Sequence, residues 1–221
     1  MDNVDNEELD QITHIRKAGS HLLNLINDIL DLSRIESGTI ALTEEVVEVG
    51  QLISDVMAFL RPVAVARQVT FKQYHHTETY VKADRLRLKQ VLLNLISNAI
   101  KYNRERGWVA IEVDAQHRDN IQVNIKDSGY GIEAEKLSLL FQPFQRLGAE
   151  RSQIEGTGIG LVIVRRLVEL MSGRVTVSSV PGEGSVFSLE IPRAERPSQP
   201  KQTIKTDGGG LQQIAQATVL Y

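Results

Sequence analysis

The stretch Leu88–Tyr102, LKQVLLNLISNAIKY, constrains this chain more than any other. Turned at about 100° per residue, it predicts a helix with two unlike faces. Leu88, Leu92, Leu95, Ile96 and Ala99 make one apolar stripe, which must be buried against the rest of the molecule. Arg87, Gln90, Asn94, Asn98 and Lys101 fall opposite in a single polar row. An interior Asn costs a helix roughly 0.5–0.7 kcal/mol relative to Ala, so two of them four residues apart do not serve helix stability. The row offers amide oxygens, which suit a hard cation such as Mg²⁺, and an ammonium, which suits phosphate. Taken by itself, it reads equally as a solvated face that contains Asn.

Composition narrows the field. The chain has 221 residues, 42% of them hydrophobic, enough for one good core and some extras. A net charge of −3 supplies no basic field for nucleic acid. With no Cys, neither a disulfide framework nor a thiolate metal site can form. The five His are scattered without metal-ligand spacing. No apolar run is read as approaching the roughly 18 residues of a membrane span, and no signal peptide opens the chain. The expectation is a cytoplasmic chain without a membrane segment of its own; an anchor elsewhere in a longer protein stays open.

In chain order, Leu9–Ser37 predicts a long helix, apolar around so much of its circumference that more than one neighbour is expected to bury it. Gly38 is its stop. Thr39–Val49 contains a strand-like segment, and Gln51–Arg67 a second helix that Pro62 should kink or break. Val69–Gln73 and Thr79–Val81 read as short strands, and Asp84 as the N-cap of the two-faced helix. Trp108–Ala115 and Ile121–Lys126 alternate as a hairpin turned near Asp119-Asn120. Glu133–Leu140 reads as a short helix, Phe141–Glu155 as a loop and Thr157–Met171 as a strongly apolar helix. Arg174–Ser179 and Ser185–Ile191 close the pattern as strands turned by Pro181-Gly182-Glu183-Gly184. Arg193–Gly210 has linker composition, and Ala217–Tyr221, ATVLY, resumes an apolar β-type run.

Two glycine motifs carry the chemistry. Asp127-Ser128-Gly129-Tyr130-Gly131 follows directly on a predicted strand. It puts a carboxylate at a pocket edge where backbone can approach closely, and a carboxylate can accept from an exocyclic amine such as that of adenine. An ordinary Asp-Ser-Gly turn is the competing reading. Gly156-Thr157-Gly158-Ile159-Gly160-Leu161 opens the late apolar helix, where N-terminal amides and glycines make a phosphate cradle or, more simply, a tight turn. It lacks the Lys-Ser/Thr ending of a Walker motif and the strand-first setting of a Rossmann fingerprint. Between the two lies FQPFQR, Phe141–Arg146, whose aromatics are expected in the core, anchoring a loop long enough to act as a lid.

Together these stretches resemble sensor histidine kinases. NLISNAIKY is similar to the N-box, DSGYG to the first glycine box, FQPFQR to the F-box and GTGIGL to the second glycine box, in the family's order. The resemblance covers roughly Gly38–Pro192. It implies a two-layer α/β (α+β) sandwich, a mixed β-sheet with helices on one face, known as the Bergerat ATP-binding fold. The wider superfamily holds chaperone ATPases, type II topoisomerases, mismatch-repair ATPases and anti-sigma kinases. The cofactors implied are ATP and Mg²⁺. Carried over, Asn98 is the main Mg²⁺ ligand and Asn94 supports it; Lys101 and Tyr102 face the nucleotide. Asp127 takes the adenine amine, with Gly129 and Gly131 shaping that pocket. Gly156, Gly158 and Gly160 sit by the phosphates with Thr157 and Leu161, and Arg146 reaches toward the terminal phosphate.

HLLNLINDILDLSRIESG resembles the second helix of the family's dimerisation and phosphotransfer hairpin. The acceptor pattern, like H-E-x-R-x-P, is absent, and neither His14 nor His21 has an acidic neighbour to serve as base. ATVLY resembles the first strand of a response-regulator receiver domain. The expected organisation is a partial dimerisation helix over 1–38, an ATP-binding catalytic domain over 39–193, and a linker with the start of a receiver domain over 194–221, a fragment of a hybrid kinase cut at both ends. The resemblance implies phosphoryl transfer to a His on another helix, homodimerisation through the N-terminal helix, and a receiver domain as partner in a phosphorelay. The rivals are a degenerate module kept for dimerisation, a clamping ATPase of the same fold, disfavoured because no Glu stands near Asn94, and an anti-sigma-type serine kinase.

Overall fold

A computed structural model describes residues 6–75, 78–145 and 157–197. The element order is α1 (Asn6–Glu36), β1 (Glu45–Glu48), α2 (Val49–Ala66), β2 (Thr70–Phe71), β3 (Tyr80–Ala83), α3 (Arg85–Lys101), β4 (Trp108–Asp114), β5 (Asn120–Asp127), α4 (Ala134–Leu137), α5 (Gly160–Leu170), β6 (Arg174–Val180) and β7 (Gly184–Pro192). The expected linker beyond residue 197, the ATVLY segment and most of the expected lid lie outside the described residues.

The two-faced helix sits at the centre. Asp84 caps it, accepting from Arg87 N at 3.0 Å, as the sequence predicts. The same carboxylate accepts from Thr43 N at 2.9 Å, so the chain ahead of β1 is used up in bracing this cap. That is why the strand-like Thr39–Val49 region pairs only over Glu45–Glu48. Leu88, Leu92, Leu95 and Ile96 are fully buried, each contributing about 1.5–3 kcal/mol by leaving water.

Their partners come from a five-stranded sheet in the order β2-β4-β5-β7-β6. Only β2 and β4 run parallel; the other neighbours are antiparallel, so the sheet is mixed. Strand alternation gives the sheet two unlike faces. Val109, Ile111, Ile121, Val123, Ile125, Leu189 and Ile191 join the core with the α2, α3 and α5 side chains. The other face is polar: Lys126 pairs with Glu112 at 2.6 Å, and Asn124 Oδ1 accepts from Gln122 and Ser188. Helices therefore cover one face, which is the two-layer sandwich expected. A second, two-stranded antiparallel sheet joins β1 to β3.

Three expectations need correction. Pro62 neither ends nor breaks α2, which runs through it; Pro62 is exposed, so the carbonyl that loses its donor is left to water. The 18 residues of α2, at mean hydropathy 1.4, are long and apolar enough to cross a membrane by composition, contrary to expectation. Val49, Leu52, Ile53, Val56 and Leu60 of that helix are nonetheless packed in the core. Phe144 is not a core anchor but 64% exposed at φ 64, and Phe141 is half-buried. The surface of α1 stays open, as expected of a helix that lacks a partner in this chain: Ile35 is buried and Leu25 and Leu32 lean on the core, while Ile12, Ile15, Leu22 and Leu23 are exposed. Gly38, at φ +66, ends α1 as predicted.

Candidate functional site

Three pieces of chain converge at the C-terminal half of α3. On the helix itself, Asn98 Nδ2 donates to Asn94 Oδ1 at 3.0 Å. That bond fixes Asn94 and leaves Asn98 Oδ1 outside it, an oxygen suited to a hard cation. Lys101 Nζ lies 5.2 Å from the Tyr102 ring centroid, holding an ammonium over an aromatic face at the helix end.

The turn after β5 brings the carboxylate. Asp127 is 9% exposed. Its Oδ1 accepts from Gly129 N at 2.8 Å and Ser185 N at 3.3 Å. Burial pushes this carboxyl above the ordinary carboxylate range, and the two backbone donors pull it back. Both bonds end on Oδ1, so Oδ2 can accept from an amine. Gly129 is required by close approach: a Cβ there would lie 2.5 Å from Tyr102 O. Gly131, at φ +69, answers a different demand, since its Cβ would meet Val180 O in the β6–β7 turn.

The glycine loop brings the third piece. A Cβ on Gly160 would lie 2.4 Å from Asn94 Nδ2, so the start of α5 is pressed against the Asn pair of α3. Gly158, at φ +72, accepts through its carbonyl from Phe144 N at 3.1 Å, tying the loop to the end of FQPFQR. Leu161 is half-buried against the core. Arg146 and Gly156 lie outside the described residues.

Thr157 does something no motif signals. Its Oγ1 donates to Asp28 Oδ2 of α1 at 2.7 Å. Burial raises the Asp28 carboxyl, the Thr157 bond lowers it, and Asp31 one turn on raises it again. Asp31 in turn accepts from Gln90 at 2.9 Å, and Gln90 accepts from Arg87 at 3.0 Å. The front of the polar row therefore docks α1, and only its rear, from Asn94 onward, faces the glycine motifs. Asp28, Asp31 and Ser185 were missed in the sequence because each acts through tertiary pairing; Asp28 and Thr157 are 129 positions apart.

Comparison with known proteins agrees with this geometry. The profile of the family described as "Histidine kinase-, DNA gyrase B-, and HSP90-like ATPase" matches residues 83–195. The chain is 37% identical over 209 residues to the sensor protein GacS of Pseudomonas syringae pv. syringae, covering 91% of this chain and 23% of that protein. It is 41% identical over 194 residues to the sensor histidine kinase GacS of Pseudomonas protegens, covering 84% and 21%. The chain thus spans less than a quarter of the length of these relatives. Full-length ShkA, solved in complex with AMPPNP, superposes with a TM-score of 0.71 at 30% identity, covering 86% of this chain and 40% of that one. Four boxes in order, a mixed sheet with helices on one face and these matches agree: the chain belongs to the histidine kinase-, DNA gyrase B- and HSP90-like ATPases, among the sensor histidine kinases.

Proposed function

We propose that this chain is the ATP-binding catalytic part of a sensor histidine kinase, which passes the terminal phosphoryl group of ATP to a His lying outside it. The observation that carries the reading is the meeting of Gly160 with Asn94, whose amide holds Asn98. It brings the glycine-loop backbone against the Asn pair, and Lys101, one turn beyond Asn98, would face the same space. Asp127 stands at the end of β5, where its turn packs against Tyr102.

In this reading Asp127 Oδ2 accepts from the adenine amine. Gly129 lets the base approach the end of α3, and Tyr102 and Lys101 flank it. The amides of Thr157, Gly158 and Gly160 face the phosphates, with Gly156, Leu161 and Arg146 completing that side. Asn98, supported by Asn94, would hold Mg²⁺, which would supply charge neutralisation on the phosphates. The chain's work is positioning: a phosphoryl group held by fixed dipoles needs little more than an aligned nucleophile.

The nucleophile comes from elsewhere. His14 is exposed on α1 without an acidic neighbour. The exposed Ile12, Ile15, Leu22 and Leu23 support α1 as one helix of a dimerisation hairpin over 1–38, ahead of a catalytic domain over 39–193. The polar, Pro- and Gly-containing composition of residues 194–221 and the closing ATVLY run support a linker toward a receiver domain, the phosphorelay partner. Calorimetric titration with a non-hydrolysable ATP analogue and Mg²⁺ tests the site. Binding by the wild type that weakens at least tenfold in Asn98→Ala supports it; a folded wild type that binds no nucleotide overturns it.

A further inference from the structure

A buried polar joint lies directly behind the candidate site. Asn103 follows Tyr102 at the end of α3 and is 9% exposed; Ser128, between Asp127 and Gly129, is 1% exposed. Asn103 Nδ2 donates to Ala99 O and to Trp108 O, both at 3.0 Å. Its Oδ1 accepts from Arg104 N at 3.0 Å and from Ser128 Oγ at 3.2 Å. Ser128 Oγ in turn accepts from Trp108 N at 2.8 Å. One amide thus satisfies both of its donor protons and its acceptor, on three separate pieces of chain. Gly107 makes room for it: a Cβ there would lie 2.0 Å from Asn103 Oδ1 and 2.8 Å from Ser128 Oγ.

These pieces carry the two halves of the site. Ala99 belongs to the helix that bears Asn98, Lys101 and Tyr102, while Ser128 is the middle of the turn that bears Asp127 and Gly129. The halves also touch directly: Gly129 packs on Tyr102 O, and Tyr130 N reaches the same oxygen at 3.4 Å. The joint is a polar connection between them that is shielded from water, where such bonds hold geometry best.

We propose that Asn103 is a positioning residue for nucleobase recognition: through Ser128 it sets where the Asp127 carboxylate stands relative to the end of α3, and so decides how strongly the site prefers a base bearing an exocyclic amine. The proposal rests on the nucleotide-site reading above. Loosening the joint lets the Asp127-Ser128-Gly129 turn shift against Tyr102. Asp127 keeps its own donors, Gly129 N and Ser185 N, and so stays folded into its turn while losing its alignment to the base.

The test is calorimetric titration of the whole chain with non-hydrolysable analogues of ATP and of ITP, which presents a carbonyl where adenine has its amine. Wild type, Asn103→Ala, Ser128→Ala, the double variant and Asp127→Asn are compared, each with its thermal unfolding curve. Loss of one aligned hydrogen bond is worth about tenfold in affinity. The expected result is that Asn103→Ala and Ser128→Ala each lower the preference for the ATP analogue about tenfold. The double variant should fall no further than the worse single one, because both act through one bond. Ser128→Ala leaves the other Asn103 bonds in place and keeps the test open if Asn103→Ala does not fold. Folded variants that keep the wild-type preference, with only the unfolding temperature lowered, overturn the proposal, since a purely structural joint would behave so. Preference lost in Asp127→Asn but intact in both joint variants overturns the joint alone, whereas a wild type that binds neither analogue fails the nucleotide reading itself.

Discussion

Gly160→Ala separates the site from the fold. The added Cβ would lie 2.4 Å from Asn94 Nδ2 and 3.2 Å from its Cγ, roughly 1 Å inside ordinary contact distance. The clashing atoms are the tip of a side chain with two rotatable bonds, so Asn94 swings away and the backbone stays. Swinging breaks the bond from Asn98 Nδ2, a loss of about 0.5–1.5 kcal/mol. Against that, Ala in place of Gly near a helix start returns up to about 1 kcal/mol. The two nearly cancel, so the unfolding temperature should move by no more than about 2–4 °C in a domain of this size. Ligand affinity has no such compensation. The amide pair proposed to face the phosphates and the cation is disarranged, and a bond to a charged group is worth about 1.5–3 kcal/mol, or roughly ten- to a hundredfold in Kd. Gly173→Ala is the contrast. Its Cβ would meet Glu190 O at 2.4 Å, a backbone atom in β7 that cannot swing, far from the Asn pair. It should lower stability and leave affinity per folded molecule unchanged. Calorimetry with a non-hydrolysable ATP analogue and Mg²⁺, run beside thermal unfolding, reads both quantities. A Gly160→Ala protein that binds as tightly as wild type would refute the placement of Asn94 in the site.

Two further outcomes follow from the carboxylates. Asp127 ionises in the fold only above the ordinary carboxylate range, because burial outweighs its two backbone donors. A folded pKa raised above the unfolded value gives stability that is complete below the unfolded pKa and is lost as pH rises through the folded one. Asp127→Asn should therefore unfold at higher temperature than wild type at neutral pH, with the gap closing as pH falls into the ordinary carboxylate range, while its preference for adenine falls about tenfold; a gap that widens on acidification contradicts the burial argument. Thr157→Val removes the 2.7 Å bond to Asp28, worth about 1.5–3 kcal/mol for a charged acceptor. Hydrogen exchange of the second half of α1 should then quicken roughly ten- to a hundredfold, and unchanged protection would show that the helix is held by its apolar contacts alone.

What could be read from the sequence depended on how local the cause was. The stripe of α3 and its Asp84 cap were visible because spacing within one helix determines both. The hairpin of β4 and β5 was visible for the same reason, as alternation across one turn. Pro62 misled because a local rule was applied where the missing donor faces water. Phe144 misled because an aromatic beside a Pro suggests an anchor, whereas its positive φ and its bond to Gly158 place it at the surface of the loop base. In the site, Asn94, Asn98, Asp127 and the glycines sit in motifs, and motifs are local. Asp28, Ser185 and Asn103 are not in them. Asn103 could have been suspected from one sign alone, a buried-type polar residue directly after a helix whose polar row ends at Lys101.

The polar row of α3 divides at Asn94, and the division gives the row its sense. Ahead of it, Arg87 and Gln90 meet Asp31 of α1; behind it, Asn98 bonds to Asn94 and Lys101 lies over the Tyr102 ring. Asn94 itself touches Gly160, the first residue of α5, and three residues earlier Thr157 is bonded to Asp28. The acidic pair of α1, one turn apart, therefore grips both walls of the candidate site, α3 through Asp31 and the glycine loop through Asp28. A helix gripping two walls resists their separation with the sum of two charged contacts, each weak on its own. Asp31, half-buried like Asp28, accepts from Gln90 at 2.9 Å, and its 4.0 Å approach to Arg87 adds little. The Asp28 bond, shorter at 2.7 Å, carries the larger share of the hold. Substituting Asp31 should accordingly disturb α1 less than substituting Asp28, although both are acids on the same face of one helix.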